Sequence, residues 1–217
     1  MSGARVAPVP LHAMILDPRA TDTASFSHFM NSVIMPRPIA FVTTVDSSGR
    51  PNAAPFSWYV GLAVRPPMLG VSLSPRDGGP KDTLRNIRDT REFVVNVVTR
   101  AMAERIVRAS GDWPAEVNEL ALVGLTAVPA DLVRPPLVGE SPVNLECRFD
   151  REIAFGESTF VVGEILRAHV RDEVLTEGRV DVSKLDPLGR LGGSQYTTLG
   201  ELMRLPRPKV ERGPATG

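Results

Sequence analysis

Residues Ser74 to Thr83 read Ser-Pro-Arg-Asp-Gly-Gly-Pro-Lys-Asp-Thr, a run whose composition suits the capture of an oxyanion. A glycine pair can leave backbone N–H groups free to converge. A helix start behind it adds unpaired donors and partial positive charge, and Arg76 and Lys81 bring full charges. Those parts suit a phosphate monoester, with the hydroxyls of Ser74 and Thr83 as further donors. Without a ligand the same stretch is a solvated turn followed by a helix that Asp82 or Thr83 caps. Its spacing lacks the Gly-Lys-Ser/Thr of a triphosphate loop, and no Gly-x-Gly-x-x-Gly follows a strand, so a nucleoside-triphosphate enzyme is disfavoured.

A second stretch, Asn52-Ala53-Ala54-Pro55-Phe56-Ser57-Trp58-Tyr59, suits a flat ring. Two alanines before a proline present backbone under almost no side chain, so a heteroaromatic ligand could lie close and take amide contacts. Phe56, Trp58 and Tyr59 add aromatic surface, or else pack into a core at a sheet edge. Arg37, between Pro36 and Pro38, sits in a stiff turn that aims it; it meets an anion or makes an exposed salt bridge. Ser57 lacks the Gly-x-Ser-x-Gly elbow of a nucleophile. Asp181 with Asp186, and Glu116 with Glu119, read as solvated helix faces. Cys147 reads as an inert core thiol. Asn144 and Glu146 share its strand and suit a subunit contact or the rim of a ligand. His12, His28 and His169 lie far apart, without metal-ligand spacing, so no metal site is expected.

The elements that must position these groups are mostly strands. Residues 39–45 are β-branched or aromatic at six of seven positions and largely apolar on both alternating faces, the pattern of a strand covered on both sides. Asp46 to Arg50 turns the chain, with Gly49 at a positive φ, into an extended stretch over 51–60 that Pro51 and Pro55 confine to an edge. Further strands are expected at 68–74, 92–98, 143–153 and 159–170, the last two joined as a hairpin near Gly156. Short helices are expected at 81–90 and 101–109, and a weaker one within 114–123. The regular alternation of strand and long helix that marks a doubly wound sheet is missing, so an antiparallel barrel with peripheral helices is the expected architecture.

Composition sets the outer limits. The chain has 217 residues with 25 basic and 25 acidic side chains, a formal net charge of zero. That leaves no cationic surplus for displacing counterions from nucleic acid or for binding an anionic membrane surface. At 42% hydrophobic and 23% charged it is an ordinary folding sequence, long enough for one sizeable core. A single domain over 1–217 is expected, its core at about 28–206, with Pro-, Gly- and Arg-rich arms at 1–10 and 206–217. A lone cysteine and the absence of an apolar leader point to the cytoplasm. Lysine is scarce, 3 residues against 22 arginines, which sets Lys81 apart.

The two candidate stretches and their neighbours closely resemble the flavin reductase-like family of FMN-binding split barrels, which includes flavoredoxin. The likeness runs through Pro36-Arg37-Pro38-Ile39-Ala40-Phe41-Val42-Thr43-Thr44, Asn52-Ala53-Ala54-Pro55-Phe56-Ser57, Lys81-Asp82-Thr83, Asn86-Ile87, Phe93-Val94-Val95-Asn96, Glu146-Cys147 and Gly189-Arg190-Leu191-Gly192-Gly193. It spans roughly residues 28 to 206. Phe41 and Thr43 stand where Trp and Ser are usual. The resemblance implies a mainly β, six-stranded antiparallel split β-barrel that forms a homodimer with FMN at the subunit interface. It places Asn52, Ala53, Ala54, Pro55, Phe56 and Ser57 along the ring and ribityl chain. Ser57, Lys81 and Thr83 approach the phosphate, and Thr43 and Thr44 line the inner side; Ser74, Arg76 and Asp82 join the expected cofactor-binding set from the anion-capturing run at 74–83. It implies transfer of a hydride from NAD(P)H to flavin, supply of reduced flavin to a partner monooxygenase, and no obligatory catalytic side chain. Two alternatives stay open: a non-enzymatic FMN electron carrier, and a barrel that binds some other phosphorylated ring.

Overall fold

The computed structural model describes residues 14–76 and 79–208. The arm expected at 1–10, most of that at 206–217, and Asp77 and Gly78 of the glycine loop lie outside the described residues. The principal elements in chain order are α1 (Thr23–Val33), β1 (Ala40–Val45), β2 (Pro51–Phe56), β3 (Tyr59–Val64), β4 (Pro67–Leu73), α2 (Asp82–Thr90), β5 (Glu92–Val97), α3 (Ala103–Ala109), α4 (Glu119–Leu122), β6 (Val143–Phe155), β7 (Ser158–Val170) and the short strands β8 (Gly189–Arg190) and β9 (Tyr196–Thr197). No described helix is long and apolar enough to cross a membrane.

Seven strands form the main sheet, in the order β2-β1-β5-β6-β7-β4-β3, every pair antiparallel. The strand expected over 51–60 is therefore two strands, and the sheet has one more strand than six. Only Ser57 and Trp58 separate β2 from β3, a span of at most about 11 Å. Yet these strands are the opposite edges of the sheet. Laid flat, seven strands at about 4.8 Å spacing would hold their edges some 29 Å apart. The sheet must curl until its edges nearly meet, and beside that junction the Trp58 carbonyl accepts from Ser72 N–H at 2.8 Å, continuing the β3–β4 ladder. The result is a barrel split beside Ser57.

β1 is buried at all six positions because its alternate faces serve two cores. Ala40 and Val42 point into the barrel with Phe56, Leu69, Val71, Phe93, Val95 and the α2 residues Leu84 and Ile87. Ile39 and Phe41 point outward into a layer built with Ala53, Met102, Ile106 and Leu120. Complete burial of Phe41 and Phe93 contributes about 1.5–3 kcal/mol each. The β1–β2 turn forms as its sequence implies: Asp46 Oδ1 accepts from the N–H groups of Ser48 and Arg50, both at 2.9 Å, and Gly49 takes φ +86°.

Candidate functional site

α2 begins at Lys81, whose backbone is extended and whose helix start has no side-chain cap. Both residues expected to cap it are engaged elsewhere. The Asp82 carboxylate is ion-paired to Arg85, and the Thr83 hydroxyl accepts from Asn52 Nδ2 at 3.1 Å. Leu84 and Arg85 N–H reach the Lys81 carbonyl at 3.0 and 3.2 Å. No described group takes the N–H of Asp82 or Thr83, so two donors are unpaired at the positive end of the helix, that of Thr83 on a residue that is itself buried.

The Lys81 ammonium is half-buried and lies 5.4 Å from the Phe56 ring centroid. Burial, reinforced by the charge of Arg76, holds its pKa below the ordinary lysine value, and no carboxylate among the described residues comes within salt-bridge distance. Arg76 is partly engaged: Nη1 donates to Trp113 carbonyl, while Nε lies 3.0 Å from Asp112 Oδ1 but is a buried donor that makes no hydrogen bond among the described residues. Arg76 and Gly79 exchange both backbone hydrogen bonds at 3.0 Å, so the Gly79 N–H is not free for an anion. Ser74 Oγ, exposed, lies 3.1 Å from Ser158 Oγ. Two clefts of about 180 and 260 Å3 flank Lys81, one toward Arg76 and Trp113, the other toward Ser74 and Thr159.

The expected platform strand is less bare than its composition implies. Ala53 N–H donates outward to Glu119 Oε2 at 3.0 Å. By the two-residue repeat of a strand, Pro51 and Pro55 share that edge and have no N–H to give. The edge therefore offers a ligand no free amide donor at these three positions. The Ala53 side chain is fully buried against the helical layer, and Ala54 packs on the barrel core. At the end of the strand, half-buried Pro55 and Ser57 and buried Phe56 line a cavity of about 210 Å3.

Glu119 is thus a buried edge cap rather than part of a solvated helix face, and the distant amide that recruits it is invisible to local sequence. Burial raises its pKa, and the bond from Ala53 partly offsets that. Glu119→Ala should leave the Ala53 N–H unpaired and destabilise the fold by about 1–3 kcal/mol. A urea midpoint equal to wild type would contradict the edge-cap role.

Thr43 and Thr44 have no exposed surface. Thr43 Oγ1 donates to Pro136 carbonyl at 2.6 Å. Thr44 Oγ1 accepts from Asn86 Nδ2 at 3.0 Å and from Asn52 Nδ2 at 3.4 Å. Since Asn52 also reaches Thr83, an Asn86–Thr44–Asn52–Thr83 relay fixes the start of α2 against β1 and β2. The structure therefore joins Asn52 and Phe56 to the Lys81 corner, while the cavity at Ser57 remains separate from the two clefts at Lys81.

Arg37 is buried, not in an exposed salt bridge. It donates to the carbonyls of Asn31, Ile34 and Leu191 at 2.8–3.0 Å and to Ser57 Oγ at 3.2 Å, pinning the end of α1 and the 189–193 segment beside the barrel split. Glu146 and Asn144 are buried as well and meet no rim. Glu146 accepts from the N–H groups of Asp131, Leu132 and Val133 at 2.6–3.1 Å and lies 2.5 Å from His169 Nε2. Asp131, Glu146 and His169 form a trio that linear spacing conceals, but its buried carboxylate is already saturated by these bonds. Cys147 is buried, and burial pushes its thiol pKa far up, as an inert core thiol requires.

A sequence model of the flavin reductase like domain matches residues 30–189. An uncharacterized protein of Halalkalibacterium halodurans is 36% identical over 206 residues, 92% of this chain and 99% of its own length. Among solved structures, the chain is similar to nitrilotriacetate monooxygenase component B from Bacillus cereus, with TM-score 0.86, 30% identity, and coverage of 89% of this chain and 98% of that one. It is also similar to the 2-nitrobenzoate 2-nitroreductase NbaA of Pseudomonas fluorescens, with TM-score 0.82, 31% identity, and coverage of 94% and 100%. With the family match spanning the barrel and all the candidate residues, the chain belongs to the flavin reductase-like domain family, on a split-barrel fold.

Proposed function

We infer that this protein is an FMN-binding oxidoreductase that takes a hydride from NAD(P)H and passes it to flavin, acting as a homodimer. The observation that carries the reading is the corner at Lys81: a half-buried ammonium with no carboxylate partner among the described residues, beside an uncapped helix start and tied by the Asn52–Thr83 bond to the strand that ends at Phe56. The donor set fits a phosphate monoester. Lys81 and the N–H groups of Asp82 and Thr83 hold that phosphate, with Arg76 and Ser74 at its margins. Pro55, Phe56 and Ser57 meet the ring end, while Thr43, Thr44, Asn52, Ala53 and Ala54 shape the support behind it.

When bound, FMN supplies the hydride-accepting chemistry. The protein's part is to orient the reactants and exclude water, so no side-chain acid or base is required. Lys81 adds fixed positive charge, and the Asp82 carboxylate, which would repel a phosphate, is drawn to Arg85 instead.

The dimer is supported by unpartnered apolar surface. α1 buries none of its residues, and the edge strand β3 exposes Val60, Leu62 and Val64. Exposed apolar edges of this kind are covered in a stable protein. The likeness to a monooxygenase component supports a role in supplying reduced flavin to a separate monooxygenase.

The test is anaerobic and aerobic titration of the purified, FMN-loaded protein with NADH and NADPH. Steady oxidation of the nicotinamide on adding free flavin, by a species that scatters light as a dimer, is the expected result. Bleaching that stops after one equivalent would make the protein an electron carrier. A preparation that binds no flavin would leave only a barrel for another phosphorylated ring.

A further inference from the structure

We propose that the cleft around Ser57 and Arg190 binds a compact aromatic carboxylate, its ring in the cavity beside Phe56 and its carboxylate on the Arg190 guanidinium. This deepens the flavin reading by naming a class of reactant for the same site; the role of that reactant rests on the reading, its binding does not.

Two cavities meet at these residues. The smaller, about 210 Å3, is walled by Ile39, Pro55, Phe56, Ile106 and Tyr196. The larger, about 440 Å3, opens past Arg37 toward α1. Ser57 and Arg190 line both. The smaller cavity is below the roughly 300–1,000 Å3 of clefts that take drug-sized ligands, so it suits the single ring of a reactant set beside the flavin rather than a dinucleotide.

Charge then selects the substituent. Neither Arg37 nor Arg190 has a carboxylate within salt-bridge distance among the described residues. Arg37 spends its donors on three carbonyls and Ser57. Arg190 gives one nitrogen to Gly193 carbonyl and lies with its Cζ 4.4 Å from the Tyr196 ring centroid, which leaves the rest of its fork uncommitted. A stacked guanidinium with open donors and no internal counterion is pre-oriented for a planar anion. Because Arg190 and Tyr196 line the same small cavity, the anionic group belongs directly on the ring, as in a benzoate. In a dinucleotide, a ribose would stand between ring and phosphate.

The probes are benzoate and its neutral isostere benzamide, titrated calorimetrically into the full chain with and without FMN. Benzoate should bind at least ten-fold more tightly than benzamide. Arg190→Gln should lose about ten-fold or more of the benzoate affinity, Arg190→Lys less, with FMN and benzamide binding unchanged. Equal affinity for the two probes, or unaltered benzoate binding in Arg190→Gln, overturns the proposal. So does Arg190-dependent binding of ADP-ribose where benzoate fails to bind, which would assign the cleft to a dinucleotide. FMN binding measured on the same samples separates the two ideas: loss of benzoate alone sinks this proposal, whereas a wild-type chain that binds no FMN sinks the flavin reading.

Discussion

Lys81→Ala should weaken FMN binding by about 1.5–3 kcal/mol, or roughly 10- to 150-fold, while leaving the affinity for riboflavin unchanged. The size follows from the setting. The ammonium is half-buried against Phe56, so its bond to a phosphate is poorly screened by solvent, and no carboxylate among the described residues competes for it. Burial and the neighbouring Arg76 hold its pKa down, so a neutral amine forms at lower pH than in a free lysine. FMN requires the charged form, and its affinity should therefore fall as pH rises through that lowered value. Lys81→Arg keeps the charge and should lose less. If Lys81→Ala binds FMN as wild type does, or loses riboflavin equally, the phosphate is held elsewhere.

Glu146→Ala should destabilise the protein by about 3–5 kcal/mol, the range found when one partner of a buried charged set is removed. The carboxylate is fully buried and holds three consecutive backbone N–H groups at Asp131, Leu132 and Val133, together with His169. Alanine would remove the acceptor that all four donors share, leaving the buried Val133 N–H without a partner. Burial alone would raise the pKa of this group, but His169 and the amides outweigh it and the net shift is downward. The folded value thus lies below the unfolded one. The stabilisation is complete above the ordinary glutamate range near about 4.3 and is lost as pH falls through the folded value. Glu146→Ala should accordingly flatten the acid limb of the stability curve. An unfolding free energy from urea titration within about 0.5 kcal/mol of wild type would mean that the 131–133 segment is held by other contacts.

How much of this was legible in the sequence depended on the range over which each signal acts. The Lys81 corner is local. Proline, glycine and lysine within ten residues announce a turn and a helix start, although the diversion of Asp82 to Arg85 and of Thr83 to Asn52 left that start uncapped. The β1–β2 hairpin was equally plain, since a five-residue polar turn with Gly49 joins two extended runs. That β2 and β3 form opposite edges of one curled sheet was not, because a break of two residues looks like a kink until the remaining strands are ordered. The alanines of β2 read as a bare surface because smallness and exposure are indistinguishable in one dimension. Ala53 is small because the helical layer packs on it, and its N–H finds an acceptor 66 positions away. Glu146 escaped for the same reason: its partners come from a loop and from a neighbouring strand.

Diffraction from crystals grown with excess FMN tests the central claim most directly. The phosphate should lie within hydrogen-bond reach of Lys81 Nζ and the N–H groups of Asp82 and Thr83, with the ring at the Phe56–Ser57 end of β2. Density for the phosphate at any other surface, or none at a concentration that saturates binding in solution, would contradict it.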